Sequence, residues 1–206
     1  MLQDALLEIH TSIRGCRICA EKPCGKPLPH EPRPVVVPSS TARMCIAGQA
    51  PGTRVHASGR PFTDPSGDRL RDWMGVDEHI FYDADKLAIV PMGFCFPGLD
   101  AKGGDLPPRK ECVATWHDRL FDLMPQIELV LVIGQYAQAY HMASRRSKTL
   151  TETVASWRSH FAQPINGKLV LPLPHPSWRN NAWLKRNPWF EAELLPVLKS
   201  EVAKRL

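Results

Sequence analysis

At 206 residues the chain is long enough to bury a self-sufficient apolar core, so it needs no disulfide framework. No run approaches the roughly 18 apolar residues of a membrane span, and the opening Met1–Ile13 carries Asp4 and Glu8 where a secretory leader is basic and then apolar, which sets the expectation of a cytoplasmic protein. A formal charge of +5 and a pI near 9.0 lean toward a polyanionic partner without amounting to a polybasic tail.

Leu2, Leu6, Ile9 and Ile13 recur at helical spacing and predict an amphipathic helix that stops at Gly15. Cys16 and Cys19 follow at once. In a reducing compartment, clustered cysteines read as metal ligands or reactive thiols before they read as staples. Between Glu21 and Ser40, Pro23, Pro27, Pro29, Pro32, Pro34 and Pro38 remove backbone donors, so this stretch is expected to be an ordered strap over the core.

Four apolar runs follow, Arg43–Ala47, Leu87–Met92, Leu129–Ile133 and Leu169–Leu173, without the polar alternation of a one-sided strand. Helical patterns occupy Gly67–Met74, Lys110–Met124 (Val113, Trp116, Leu120 and Leu123 on one face), Gln135–Ser144 and the stretch from Trp189 onward. The alternation predicts one domain over residues 1–206, an α/β fold of three layers, α/β/α, around a central four-stranded and mainly parallel sheet. No internal repeat is present. Open parallel sheets bind ligands beyond the carboxyl ends of their strands. There the first run leads into Gly48-Gln49-Ala50-Pro51-Gly52, and the last into His175-Pro176-Ser177-Trp178-Arg179-Asn180.

Those two loops, with Gly59-Arg60-Pro61-Phe62 between them and Gly134-Gln135 closing the third run, come in the order used by uracil-DNA glycosylases, which the sequence resembles from Gly15 to about Asn187. The resemblance is strongest to the cluster-containing families four and five of that superfamily. It implies a uracil-DNA glycosylase-like fold, a monomer, and DNA containing uracil or other damaged bases as partner. The activity implied is extrusion of the base and hydrolysis of its N-glycosidic bond.

The resemblance also implies that Cys16, Cys19, Cys95 and Cys112 hold a 4Fe-4S cluster, pinning the Gly- and Pro-rich loop Phe96–Glu111 to the core. Read as spacing alone, two thiolate pairs suit a structural zinc equally well. Cys24 stands near enough to substitute for a ligand, whereas Cys45, inside a strand, reads as a small core residue.

By the same resemblance Phe62 stacks on the extruded base, with Gly48, Ala50, Pro51 and Gly52 shaping the base pocket. His175 stabilises the departing base and Ser177 meets a phosphate. Trp178, Arg179 and Asn180 push into the DNA, with Trp183, Lys185, Arg186 and Trp189 extending that surface. Gln49 stands where family four usually has Glu; its amide positions water or base but cannot act as a general base. Asp64 matches a family-five aspartate and is the expected catalytic carboxylate, with Asp68 the alternative. Each has a plainer reading: Phe62 as core, His175 as structural, Asp64 as a helix cap and Asp68 as a first-turn residue.

Pro91 replaces an asparagine that reads the uracil edge in family four, so a broader base range is expected. Leu99–Arg109 contains no histidine, unlike relatives that trap uracil covalently, so turnover is expected rather than an adduct. Two other classes stay open: a cluster protein that binds uracil-containing DNA without cleaving it, suggested by Gln49 and Pro91, and an electron-transfer protein.

Overall fold

Met44–Ala47 (β1), Leu87–Ile89 (β2), Leu129–Ile133 (β3) and Leu169–Leu173 (β4) form one sheet of order β2-β1-β3-β4, every pairing parallel, in a computed structural model that describes residues 1–206. Successive side chains of a strand point to opposite faces, and here both faces are apolar. Cys45, Ala47, Val130, Val132 and Val170 enter a cluster of 21 buried residues with Leu6, Ile9, Ile13, Trp116 and Leu120. Met44, Ile46, Leu131, Ile133, Leu171 and Leu173 enter one of 20 with Leu70, Trp73, Phe190 and Leu198. Helices cover both faces, giving the expected three layers with a sheet that is parallel throughout. No helix is long and apolar enough to cross a membrane.

The first helix, Leu2–Arg14, ends at Gly15 and buries Leu6, Ile9 and Ile13, while Leu2 stays exposed. The proline strap runs along the free edge of β2. Val37 bridges Ile89 in antiparallel sense and the Val35 N–H donates to the Phe94 carbonyl at 2.7 Å, so the edge is covered. β2 stops at Ile89, short of Met92, but the chain beyond it remains stitched to the loop after β1: Met92 N–H donates to Gly48 O and Gly93 N–H to Gln49 O, both at 2.9 Å.

Two long helical segments are interrupted by π turns. Lys110–Met124 divides into Lys110–Cys112, a π segment Val113–His117 and Asp118–Asp122. Near the C-terminus a π segment Phe190–Leu194 precedes the helix Leu195–Ala203. In the second case Pro196 lacks the N–H that would close the preceding turn, and the backbone widens there. Thr53–Ser58, Glu78–Phe81, Leu150–Ala155, Trp157–Phe161 and Asn181–Arg186 are helices of one or two turns, too short to register as apolar periodicity.

Candidate functional site

Reversal of strand order between β1 and β3 opens a crevice at their carboxyl ends, and the motif loops meet there. A narrow pocket of about 90 Å³ is lined by Gly48, Gln49, Ala50, Pro51 and Gly52 after β1, by Phe62, Asp64 and Ser66, by Pro91, and by His175 after β4. It adjoins a groove of about 520 Å³ whose wall continues through Arg54, Ser177, Trp178 and Arg179. Gln49, Asp64, Asp105 and His175 line both spaces, so they mark the junction.

Phe62 is held in an unusual conformation. Its φ of 54° lies in the left-handed region, an outlier for a bulky side chain that costs on the order of 1–3 kcal/mol. Two contacts hold it. Tyr82 Oη donates to the Phe62 carbonyl at 3.0 Å, and Gly67, in the helix Pro65–Met74, approaches so closely that a Cβ there would lie 1.9 Å from the same oxygen. The ring is thereby set above Gly48, edge-on to Phe81 at 5.8 Å between centroids. Gly67→Ala is therefore expected to destabilise the protein by about 1–3 kcal/mol, because the obstructing atom is backbone. Thermal unfolding would show it as a Tm lowered by roughly 2–4 °C per kcal/mol for a chain of this size.

Asp64 occupies the N-cap position of that helix, but its side chain makes no capping bond to the backbone. Its Oδ1 instead accepts from Ser66 Oγ at 2.6 Å, which holds the carboxylate at the pocket. Asp68 pairs with Arg71 on the exposed surface and lines neither space. Arg69 of the same helix donates to the Ser177 carbonyl at 3.0 Å, tying the Phe62 segment to the His175 loop. That loop braces itself: Asn180 Nδ2 donates to His175 O at 2.7 Å, and Arg179 N–H donates to Ser177 Oγ at 3.3 Å.

Burial lowers the His175 pKa from its ordinary value; Asp64 and Asp105 oppose the shift and Arg179 adds to it. The imidazole is thus a neutral N–H donor near pH 7. Trp178 is 71% exposed at the rim, with the Arg179 guanidinium 5.9 Å over its ring. Lys185 and Arg186 are also exposed. Trp183 and Trp189 are not: they pack against each other and Phe190, with Trp183 Nε1 donating to Thr151 Oγ1. Both are partly buried against the core.

Cys16, Cys19, Cys95 and Cys112 draw together from three segments. Cys19 and Cys95 share a small buried cluster with Leu28, Cys16 packs against the core cluster that includes Cys112, and Cys112 Sγ accepts from Phe94 N–H at 3.4 Å. The interaction of the neighbouring Cys19 and Cys112 thiols lowers the first and raises the second. Burial pushes Cys95 up to about 12. All six cysteines are free. Cys45 is fully buried within β1, and Cys24 is exposed.

Arg109 binds these segments to one another, donating to Lys26 O and to the buried carboxylate of Glu111, each at 2.8 Å. Glu111 in turn accepts Cys24 N–H at 2.9 Å, and the Arg109 Nε is buried without a partner. No three His, Cys, Asp or Glu side chains stand at the spacing of a single metal ion. The donors available around these segments are the free thiols and one buried N–H without a partner.

Asp105, Ser66 and Arg69 are site residues that sequence reasoning did not single out. For Asp105 the available signal was its place in Gly-Gly-Asp-Leu-Pro-Pro, a turn-forming sequence between two cysteines.

The family model of the Uracil DNA glycosylase superfamily matches residues 34–199, a span that holds every loop of the pocket, Cys95 and Cys112, but begins after Cys16 and Cys19. Among solved structures the chain is similar to a solution NMR structure of a candidate uracil DNA glycosylase from Methanosarcina acetivorans, at 16% identity, with 80% of this chain and 94% of that chain covered and a TM-score of 0.48. With the family model spanning most of its length, this chain belongs to the uracil DNA glycosylase superfamily.

Proposed function

We propose that this protein is a monofunctional DNA glycosylase that extrudes uracil, and other deaminated or damaged bases, and hydrolyses the N-glycosidic bond to leave an abasic site. The observation that carries this reading is the junction of a narrow pocket with a wider groove, lined at one place by Gln49, Asp64 and His175. A base enters the pocket, its backbone lies in the groove, and the bond to be broken falls between them.

Phe62 offers the base a ring face. Gln49 positions base or water through its amide. His175, neutral and largely desolvated, donates to a base carbonyl as negative charge develops there, where a hydrogen bond is worth most. Asp64, fixed by Ser66, faces the sugar as it gains positive charge. Ser177, Arg179 and Asn180 meet the strand, and exposed Trp178 is the wedge that fills the vacated stack. Pro91 on the pocket wall presents no side-chain donor or acceptor, which supports a wide base range.

The four cysteines support assignment near the cluster-containing families four and five. Cys16, Cys19, Cys95 and Cys112 would hold a 4Fe-4S cluster, which when bound crosslinks the N-terminal segment and the loop Phe96–Glu111 to the core.

The test is base release from a uracil-containing oligonucleotide by the purified chain. Wild type is expected to yield abasic product, and Asp64→Asn to lower the single-turnover rate about 100-fold with DNA affinity retained. Tight binding of uracil-containing DNA with every base intact would instead identify a binding protein and overturn the catalytic reading.

A further inference from the structure

The junction holds a second carboxylate. Asp105 lines both the pocket and the groove, and its Oδ2 lies 3.5 Å from where a Cβ on Gly52 would stand. It is carried by an outer loop whose shape is set by its own backbone. Leu99 bridges Asp105 in antiparallel sense, and Leu106 N–H donates to Gly98 O at 2.9 Å. Asp100 Oδ1 accepts from Lys102 N–H at 2.8 Å and from Gly104 N–H at 2.9 Å. The residue is exposed on this loop, yet its carboxylate turns to the pocket.

The two junction carboxylates differ in what occupies them. Asp64 already accepts a short hydrogen bond from Ser66. Asp105 has the titratable groups Arg179, His175, Asp64 and Asp100 near it and no hydrogen bond to its carboxylate oxygens. A carboxylate with free lone pairs, at the point where base pocket and strand groove meet, is placed to take a proton from water.

We infer that Asp105 is the general base of the reaction, and that Asp64 is the partner of the sugar cation. The inference rests on the glycosylase reading above. In the step, water oxygen forms a bond to C1′ while the bond from C1′ to the base nitrogen breaks. The bonding electron pair leaves with the base, whose anion His175 stabilises, and the water proton passes to Asp105. Asp105 then returns that proton to the departing base or to solvent, so the enzyme is regenerated with no other reactant consumed.

The pH dependence follows with a definite sign. Burial raises the Asp105 carboxyl above its ordinary value, and Asp64 and Asp100 push it further against the opposing pull of Arg179 and His175. The base form is populated as pH rises, so the rate should fall on the acid side, through a limb lying above the usual carboxylate range.

Single-turnover rates of abasic-site formation across pH, with DNA affinity measured in parallel on the full chain, test the assignment. Asp105→Asn is expected to slow cleavage about 10²–10⁴-fold, remove the acid limb and leave DNA affinity and thermal stability unchanged. Asp105→Glu should recover part of the rate, and added formate should restore part of the rate of Asp105→Ala. Retention of rate or of the acid limb in Asp105→Asn overturns the inference. So does a loss accompanied by weakened DNA binding that formate does not repair, since that marks a merely structural loop residue. A wild type that binds DNA without releasing any base defeats the glycosylase reading and this assignment together; an active wild type beside an equally active Asp105→Asn defeats this assignment alone.

Discussion

Cys112→Ala is expected to strip the purified protein of iron and of its visible absorbance, and to lower base release with them. Cys112 is buried beside Cys19 and receives the Phe94 N–H, so its sulfur joins the N-terminal segment, the stretch entering Cys95 and the helix of Cys112 itself. Changes one shell beyond a metal ligand already cost about 10–100-fold in affinity, and removal of a ligand should cost at least the upper figure. The consequence reaches the pocket because Cys95 and Cys112 bracket the loop that carries Asp105, and Gly93 packs directly on Pro108 and Arg109. Iron content and the visible spectrum check the claim independently of activity. Cys24→Ser, at an exposed position, should leave both unchanged. Full iron and colour in Cys112→Ala would remove Cys112 from the ligand set, and a colourless wild type with stoichiometric zinc would replace the cluster by a structural ion.

His175→Ala should lower the single-turnover rate by about 10²–10³, the cost of deleting one aligned donor to a developing anion, or about 2.7–4 kcal/mol. DNA affinity should stay near that of wild type, because the interaction strengthens only as the bond breaks. The sign of the His175 shift matters here. Burial holds its pKa below the ordinary value, so the neutral donor predominates above that value and activity near pH 7 does not depend on protonating it. His175→Gln retains an N–H donor at a similar place and should keep more activity than His175→Ala. Equal losses in the two variants, or a fall in DNA affinity matching the fall in rate, would make His175 a packing residue of its loop.

The plainer readings of several residues divide on contacts that no linear pattern displays. Asp64 does sit at a helix N-cap, but the bond that would make it a cap is absent and Ser66 holds it instead. Asp68 is the surface ion-pair residue its spacing from Arg71 allows. Phe62 is half in the core and half in the pocket, and its left-handed backbone was unreadable because that conformation ordinarily announces itself through Gly or Asn. Trp183 and Trp189 look like a DNA-facing pair beside Lys185 and Arg186, yet the tryptophans pack on each other and are partly buried while the two cations are exposed.

What the sequence determined by itself is whatever depends on local periodicity and on motif order. Continuous apolar runs marked β3 and β4 to the residue, since strands buried on both faces tolerate no polar position. The same logic put the Gly48–Gly52 and His175–Asn180 loops at one end of the sheet, and the first helix ended where Gly15 said it would. Only the tertiary structure decided which distant groups share a small volume. It brought Asp105 against Gly52, set Gly67 under Phe62, and tied Arg109 to Lys26 and Glu111 to Cys24 across the cysteine segments. The physical reason is that burial and hydrogen bonding couple residues by distance in space, whereas propensity and pattern couple them only by distance along the chain.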